Sequence, residues 1–107
     1  MPSKSSLFSQ RVWEIATAIP EGRVMTYSGL ARAASGGPLA ARSITNILSK
    51  APNQSAIPYH RIVYADGRVW LSTAYEKKRR ALYRREGIRI NARGYIEDFE
   101  EVEWRLF

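Results

Sequence analysis

The chain contains no cysteine and only one histidine among its 107 residues. The absence of cysteine excludes disulfide bonds and any chemistry that needs a thiolate. A single histidine without cysteines is too small a ligand set for a zinc site, and no pair of carboxylates has a spacing that suggests magnesium. We therefore expect neither a metal nor a cofactor.

Long hydrophobic runs are also missing from the chain. No apolar run approaches the roughly 18 residues of a membrane helix, and residues 1–10 lack the apolar segment of a secretory signal. We expect no membrane association and a cytoplasmic location. A length of 107 residues with 45% hydrophobic residues fits one domain with a modest core. We expect that core over about residues 5–90, with residues 91–107 as a C-terminal tail.

Acidic residues are scarce in the body of the chain and concentrated in its tail. Residues 1–90 contain 15 Lys or Arg against 5 Asp or Glu, a net charge of +10, whereas residues 91–107 contain 2 against 5, a net charge of −3. A basic body of this size favours nucleic acid or anionic lipid as a partner. A solvated basic surface that only maintains solubility is the alternative.

Apolar residues at helical spacing predict two helices at the start of the chain. The first is capped by Ser5 or Ser6 and ends before Pro20. Its inner positions are Phe8, Val12, Ile15, Ala16 and Ile19. Thr26 then caps a second helix, over about residues 27–34, which ends before a Gly36-Gly37 break.

A third helix is predicted to begin at Pro38. Its inner stripe is Ala40, Ile44, Ile47 and Leu48. Its outer face is small, polar and basic, and consists of Arg42, Ser43, Asn46, Ser49 and Lys50. The second and third helices form a helix-turn-helix pattern, whose second helix has the face of a groove-reading helix. A plain helical hairpin with a solvated face remains the alternative.

A turn fixed by Pro58 presents Tyr59 and His60 before a β-rich run. Residues 62–64 and 68–70 are predicted to form a β-hairpin around an Asp-Gly turn, which would be the wing of a winged helix. The expected fold class is mainly α with a small β-hairpin, a winged helix-turn-helix-like DNA-binding domain.

A basic helix is predicted over about residues 75–86, with Gly87 as its C-cap. Its expected apolar side is thin and consists of Tyr75, Ala81 and Leu82. Such a helix could line a phosphate backbone, although a charge run is more often a solvated face. The tail should pack on the body, with its carboxylates near the basic helix, through Phe99, Val102, Trp104 and Phe107.

Short sequence matches to one known family follow each other from Phe8 to Gly87. They are Val12-Trp13, Ile19-Pro20-Glu21-Gly22-Arg23-Val24, Thr26-Tyr27, Leu30-Ala31, Ala41-Arg42, Pro58-Tyr59-His60-Arg61, Asp66-Gly67 and Glu86-Gly87. With them the chain resembles the C-terminal DNA-binding domain of the O6-alkylguanine-DNA alkyltransferases, and more closely their cysteine-lacking relatives, the alkyltransferase-like proteins. In the alkyltransferases the turn reads Pro-Cys-His-Arg, and the cysteine takes the alkyl group from a flipped guanine. Tyr59 stands at that acceptor position here.

The resemblance implies a role for several residues. Arg42 resembles the arginine that fills the gap left by a flipped nucleotide, and Tyr27 the tyrosine that pushes on the adjacent phosphate. His60 and Glu86 resemble the pair that activates the cysteine in the parent family. The chain departs from the family at two places: Ala51 replaces an asparagine, and residues 70–73 replace a glycine-rich segment.

The resemblance also implies the composition of the functional site. The lesion pocket is expected at Pro58, Tyr59, His60, Arg61, Trp70 and Glu86. DNA contacts are expected from Tyr27, Arg42, Ser43, Asn46, Lys50 and Arg68. A phenol is almost entirely un-ionised at neutral pH and accepts alkyl groups far less readily than a thiolate does, so Tyr59 is interpreted as a wall whose hydroxyl offers a hydrogen bond to the base.

The sequence thus predicts a monomeric, non-catalytic protein that recognises O6-alkylguanine in double-stranded DNA by nucleotide flipping. By resemblance, it would obstruct alkyltransferases and flag the lesion for nucleotide excision repair proteins. A sequence-specific winged-helix transcription regulator is the alternative, and an enzyme with His60 as general base is a third hypothesis. The first two differ in whether affinity follows the lesion or the surrounding sequence.

Overall fold

A computed structural model describes residues 7–37 and 40–105 of the chain. The first helix, α1, spans Leu7–Ala18 and buries Val12 and Ala16 against the rest of the core. The predicted caps Ser5 and Ser6 lie outside the described residues. Pro20 follows the helix end as predicted, because proline cannot continue the helical hydrogen bonding.

The helix-turn-helix consists of α2 (Tyr27–Ala33) and α3 (Ile44–Ser49). The Thr26 side chain accepts a hydrogen bond of 2.8 Å from the Gly29 N–H, which confirms the predicted cap. A 3₁₀ turn at Ala40–Ser43 leads into α3, so this element is shorter than the single helix predicted from Pro38, which itself lies outside the described residues.

The small sheet differs from the predicted hairpin. Its two strands, β1 (Met25–Thr26) and β2 (Ile62–Val63), are parallel, and residue 25 pairs with residue 62. Both residues of β2 are fully buried, so the strand lies between the hydrophobic clusters of the core and pairs with another buried strand instead of an exposed return strand. The Asp-Gly turn itself forms, with Gly67 at a φ of 85°.

The return segment of the predicted hairpin pairs with the tail instead. Arg68 bridges Tyr95 in antiparallel fashion, and the Val69 N–H donates to the Gly94 carbonyl at 2.8 Å. One hydrogen bond of 3.0 Å, from the Tyr64 N–H to the Arg68 carbonyl, still closes the turn. The winged region is therefore completed by residues distant in sequence, which supply backbone partners that a two-stranded hairpin would lack.

The basic helix, α4, spans Glu76–Arg85 and ends as predicted at Gly87, which has a φ of 77°. The Ile88 N–H donates to the Tyr83 carbonyl at 2.9 Å, and the Gly87 N–H donates to the Arg84 carbonyl at 3.1 Å. These two bonds form a Schellman motif. The predicted apolar side was misassigned, because Tyr83 is the buried residue at 1% exposure, whereas Tyr75 and Ala81 are exposed.

The described part of the tail packs on the body, as predicted. Phe99 and Val102 pack on one hydrophobic cluster, and Trp104 packs on the other. A short helix, α5 (Phe99–Val102), precedes a parallel bridge between Val24 and Glu103. Phe107 lies outside the described residues.

Among the described residues, no ion pair joins a tail carboxylate to the basic helix α4, in contrast to the prediction. Glu97 and Asp98 pair with Arg89, which follows α4, and Glu103 pairs with Arg105. The tail runs antiparallel to the segment after α4, and the Glu97 N–H donates to the Arg89 carbonyl at 2.9 Å. This pairing places the tail carboxylates beside Arg89 and not beside α4.

The core divides into two hydrophobic clusters. The first contains buried residues of α1, α2 and α3, and the second lies between β2, Tyr83 and the tail. The parallel strand pair connects them, because Met25 and Ile62 belong to the first cluster and Val63 to the second. No helix within residues 7–37 and 40–105 is both long and apolar enough to cross a membrane. The mainly helical fold class is confirmed.

Candidate nucleic-acid interface

A cavity of about 600 Å³ opens beside the turn that contains Pro58, Tyr59 and His60. Its far side is formed by Trp70 and by the first two turns of α4. A second cavity of about 380 Å³ shares Tyr59 and Trp70 with the first and reaches Tyr27 at the start of α2. We call the two together the aromatic cleft. Its volume is within the range of pockets that enclose small organic ligands.

Tyr59 is fixed by Gln54. The phenol oxygen lies 2.6 Å from Gln54 Oε1 and 3.1 Å from the Leu48 carbonyl oxygen. The Gln54 side-chain amide donates to the carbonyls of Leu48 at 2.8 Å and of Ala51 at 2.9 Å, so its oxygen must face the phenol. The phenol proton is therefore engaged within the protein. A ligand in the cleft meets the Tyr59 ring and a hydroxyl oxygen that is free to accept a hydrogen bond.

Replacing Gln54 by leucine should weaken this anchor, because leucine has a similar volume but no donor or acceptor. The Leu48 and Ala51 carbonyls would lose the amide, and we expect unfolding free energy to fall by about 1–2 kcal/mol. Denaturant unfolding in a double-mutant cycle with Tyr59→Phe measures the coupling. Ser55→Ala is the control, since Ser55 lines the same cavity but its hydroxyl donates to Asn53 within its own loop. If the losses of unfolding free energy caused by Gln54→Leu and Tyr59→Phe were additive, Gln54 would not anchor Tyr59.

Glu86 holds the turn from behind the cleft. Its carboxylate lies 2.6 Å from His60 Nε2 and 2.8 Å from Arg61 Nη2, and it accepts the Gly22 N–H at 3.0 Å. Burial alone would raise the pKa of Glu86, but hydrogen bonds from Arg61, His60 and Gly22 outweigh it and lower the pKa to about 2. The side chain is only 4% exposed. Arg61 and Glu86 therefore support the wall of the cleft and do not line it.

His60 lines the cleft but is also held by its surroundings. Besides the contact with Glu86, its ring meets the ring of Tyr83 edge-on at 5.8 Å, and the Tyr83 hydroxyl donates to the His60 carbonyl. Burial raises the pKa of Tyr83 to about 12, so this phenol keeps its proton. The imidazole is thus oriented by a carboxylate and a phenol, which suits a structural wall residue.

The exposed face of the helix-turn-helix borders the cleft. Thr45 of α3 and Tyr27 of α2 both line the second cavity. The predicted DNA contacts on this side are all exposed: they are Arg42, Ser43, Asn46 and Lys50. Arg42 lies in the 3₁₀ turn that precedes α3, and not on the helix as predicted.

Tyr27 and Arg68 both contact the ring of Tyr64. The rings of Tyr27 and Tyr64 are 5.5 Å apart, and the Arg68 guanidinium lies 4.5 Å from the centre of the Tyr64 ring. Burial, followed by the nearby phenol of Tyr64, raises the pKa of Tyr27. Tyr27 is therefore neutral at physiological pH and does not repel a phosphate.

Several cleft residues were not predicted as site residues from the sequence. They are Gln54, Tyr75, Lys78 and Arg79. A signal for the last two was present, because residues 75, 78, 79 and 82 have the spacing of one helix face and all line the cavity. Gln54 gave no such signal, since it begins a single 3₁₀ turn, Gln54–Ala56, which is too short to show periodicity.

A helix-turn-helix with an exposed polar and basic face, adjoining an open aromatic cleft, defines a DNA-binding domain that has room for an extrahelical group. Residues 7–88 match the model of the family described as "6-O-methylguanine DNA methyltransferase, DNA binding domain". The chain belongs to this family. Because it contains no cysteine, it resembles the cysteine-lacking, alkyltransferase-like members of the family.

Individual relatives agree with this assignment. The chain is 38% identical over 101 residues to the "DNA base-flipping protein" of Escherichia coli (strain K12), a match that covers 94% of this chain and 77% of the relative. It is 32% identical over 83 residues to a methylated-DNA–protein-cysteine methyltransferase of Methanothermobacter thermautotrophicus, covering 78% of this chain and 46% of the relative.

The fold is shared with a solved protein–DNA complex. The crystal structure of S. pombe Atl1 with damaged DNA containing O6-carboxymethylguanine superposes with a TM-score of 0.73 at 23% identity, over 96% of this chain and 99% of that chain. This likeness establishes the fold. The predicted family and fold class are both confirmed.

Proposed function

We propose that this protein recognises O6-alkylguanine in duplex DNA without catalysis, by flipping the nucleotide into the aromatic cleft and holding it there. The observation that carries the proposal is the position of Tyr59. By resemblance, it stands where the alkyltransferases have their acceptor cysteine, and it lines both cavities of the cleft. The helix-turn-helix borders that cleft through Tyr27 and Thr45, so DNA bound there lies next to the opening.

The chemistry of the cleft supports retention of the base. The chain has no thiol to accept an alkyl group, and the Tyr59 proton is engaged by Gln54. Aromatic walls contact a flipped base and its alkyl substituent through their faces. Flipping costs least where base pairing is already weakened, which favours a guanine alkylated at O6 over normal guanine.

The names of similar proteins support the same function. One is named a DNA base-flipping protein, and the S. pombe structure contains DNA with an O6-alkylated guanine. A monomer that covers the lesion in this way would shield it from alkyltransferases. By family resemblance, the complex would be a signal for nucleotide excision repair proteins.

The first experiment is a titration of two duplexes that differ only in O6-methylguanine or guanine at one position. We expect tighter binding to the lesion by about tenfold or more, since the weakened pair lowers the flipping cost. The methyl group should remain on the DNA after long incubation with excess protein. A genuine alkyltransferase added to the saturated lesion duplex should be inhibited.

The outcomes separate the functional alternatives. Equal affinity for both duplexes, together with dependence on flanking sequence, would support a transcription regulator instead. Mass spectrometric detection of alkylated Tyr59 would overturn the non-catalytic part of the proposal.

A further inference from the structure

Two cations of α4 line the larger cavity of the aromatic cleft. Lys78 and Arg79 lie there beside the rings of Tyr59, Trp70 and Tyr75, and no carboxylate is among the described residues that line either cavity. Arg79 belongs to both cavities. The recognition of an alkylated base by aromatic walls does not by itself require these charges.

The fold fixes the direction of both side chains. They share one face of α4 with Tyr75, which precedes the helix, because residues 75, 78 and 79 are three and four positions apart. Tyr83, four positions after Arg79, anchors the helix, because it is 1% exposed and donates to the His60 carbonyl on the other wall of the cleft. The two cations thus face the cleft from a rigid element.

Neither cation is paired with a carboxylate of the described residues. Glu76 of the same helix pairs with Arg80 at 2.8 Å, and Glu86 is engaged by Arg61 and His60. Within residues 7–37 and 40–105, no ion pair involves Lys78 or Arg79. The Arg79 guanidinium lies 5.1 Å from the centre of the exposed Trp70 ring, which positions it without cancelling its charge.

We propose that the aromatic cleft selects O6 substituents by charge, so that a guanine with an anionic O6 substituent is held more tightly than one with a neutral substituent of the same size. Lys78 and Arg79 supply the charge-assisted hydrogen bonds to the anion, and the aromatic walls contact the base. This inference rests on the proposed function, because it requires the flipped base to occupy this cleft.

The same cations could instead contact backbone phosphates next to the flipped nucleotide, and the two roles predict different results. A phosphate contact strengthens binding to every duplex alike. A contact with the substituent strengthens binding only where the substituent is charged. The ratio of two dissociation constants, for a charged and a neutral substituent, therefore isolates the second role.

The experiment uses duplexes with O6-carboxymethylguanine, O6-carbamoylmethylguanine or guanine at one position. The first two substituents have the same number of non-hydrogen atoms, and only the carboxylate is ionised at neutral pH. For the unmodified protein we expect about five- to tenfold tighter binding to the carboxymethyl duplex than to the carbamoylmethyl duplex, the range of one or two partly exposed charge pairs. The Lys78→Gln/Arg79→Gln variant should bring that ratio close to one.

The matched control is Lys77→Gln/Arg85→Gln. It also removes one lysine and one arginine charge from this part of the chain. Both residues are exposed and line neither cavity. The control should weaken binding to all three duplexes alike and leave the ratio unchanged. Lys78→Gln alone, at an exposed position, should lower the ratio without altering the stacking of Arg79 on Trp70.

Three results would overturn the inference. The ratio could be one in the unmodified protein, it could persist in the Lys78→Gln/Arg79→Gln variant, or it could fall equally in the control. The guanine duplex separates this failure from failure of the proposed function. If both lesions bind better than guanine but equally well, only charge selection fails. If neither binds better than guanine, the proposed function fails and charge selection fails with it.

Discussion

Replacing Glu86 with glutamine should lower the free energy of unfolding by about 3 kcal/mol at neutral pH. The pKa of this carboxyl falls from an ordinary value of 4.5 to about 2 in the folded protein. Each pKa unit corresponds to about 1.4 kcal/mol of preference for the charged form. Glutamine would present an amide N–H₂ to a group of donors and leave Arg61 without its charged partner, which is costly at a buried site.

The effect should depend on pH with a defined sign. A folded-state pKa below the ordinary value stabilises the protein above about pH 4.5, and that contribution is lost as pH falls from about 4.5 to about 2. The glutamine variant lacks this titration. The difference in unfolding free energy between the two proteins, measured by urea unfolding at several pH values from 7 to 3, should therefore shrink as the pH falls.

Glu76→Gln provides the control for this measurement. Glu76 lies on the same helix and pairs with Arg80 at i,i+4, but its side chain is about half exposed. An exposed pair of this kind contributes about 0.3–0.5 kcal/mol. If the two variants lost similar stability, or if the Glu86 effect were constant from pH 7 to pH 3, the network around Glu86 would not be the anchor of the turn.

Local signals in the sequence were enough to predict most helices. Helix ends depend on the backbone of residues close in sequence, so a short stretch of sequence is enough to predict them. Examples are the Thr26 cap, the proline after α1 and Gly87 after α4. The apolar side of α4 was misassigned for the opposite reason. Tyr83 is buried because it donates to His60, a contact between residues 23 positions apart that no local periodicity reveals.

The strand pairing could not be predicted from local alternation. Ile62 and Val63 pair with β1 because both sides of that strand are buried, and Arg68 pairs with Tyr95 because the tail returns along the turn. Choice of strand partner depends on where the whole chain folds. The site shows the same limit: family resemblance indicated Tyr59 and Glu86, but the support of Tyr59 by Gln54 depends on a loop geometry that the sequence does not encode locally.

Replacing Arg42 with alanine should remove most of the preference for the lesion. The side chain is exposed in the 3₁₀ turn before α3, and no hydrogen bond or ion pair holds it within the described residues of the protein. Ile44, two residues on, is fully buried and fixes the backbone that carries it. Arg42 therefore projects from a backbone anchored in the core, with no partner for its guanidinium among the described residues, and such a side chain could enter the base stack.

The physical reason for a selective effect is that flipping leaves a gap in the duplex. Unstacking and unpairing cost a few kcal/mol, so a side chain that fills the gap stabilises only the flipped complex. A planar guanidinium can stack on bases and bond to the orphaned partner, whereas an ammonium cannot stack. Arg42→Lys should therefore restore little.

The measurement is the ratio of dissociation constants for guanine and O6-methylguanine duplexes, with a fluorescent base analogue opposite the lesion to report flipping. Arg42→Ala should lower this ratio by about tenfold, or 1.4 kcal/mol. Lys50→Ala is the control, since Lys50 is an exposed cation at the other end of α3 and its loss should weaken both duplexes alike. If Arg42→Ala behaved like Lys50→Ala, Arg42 would be a backbone contact. The flipped state would then be stabilised from the cleft alone, by the ring of Tyr59 and its neighbours.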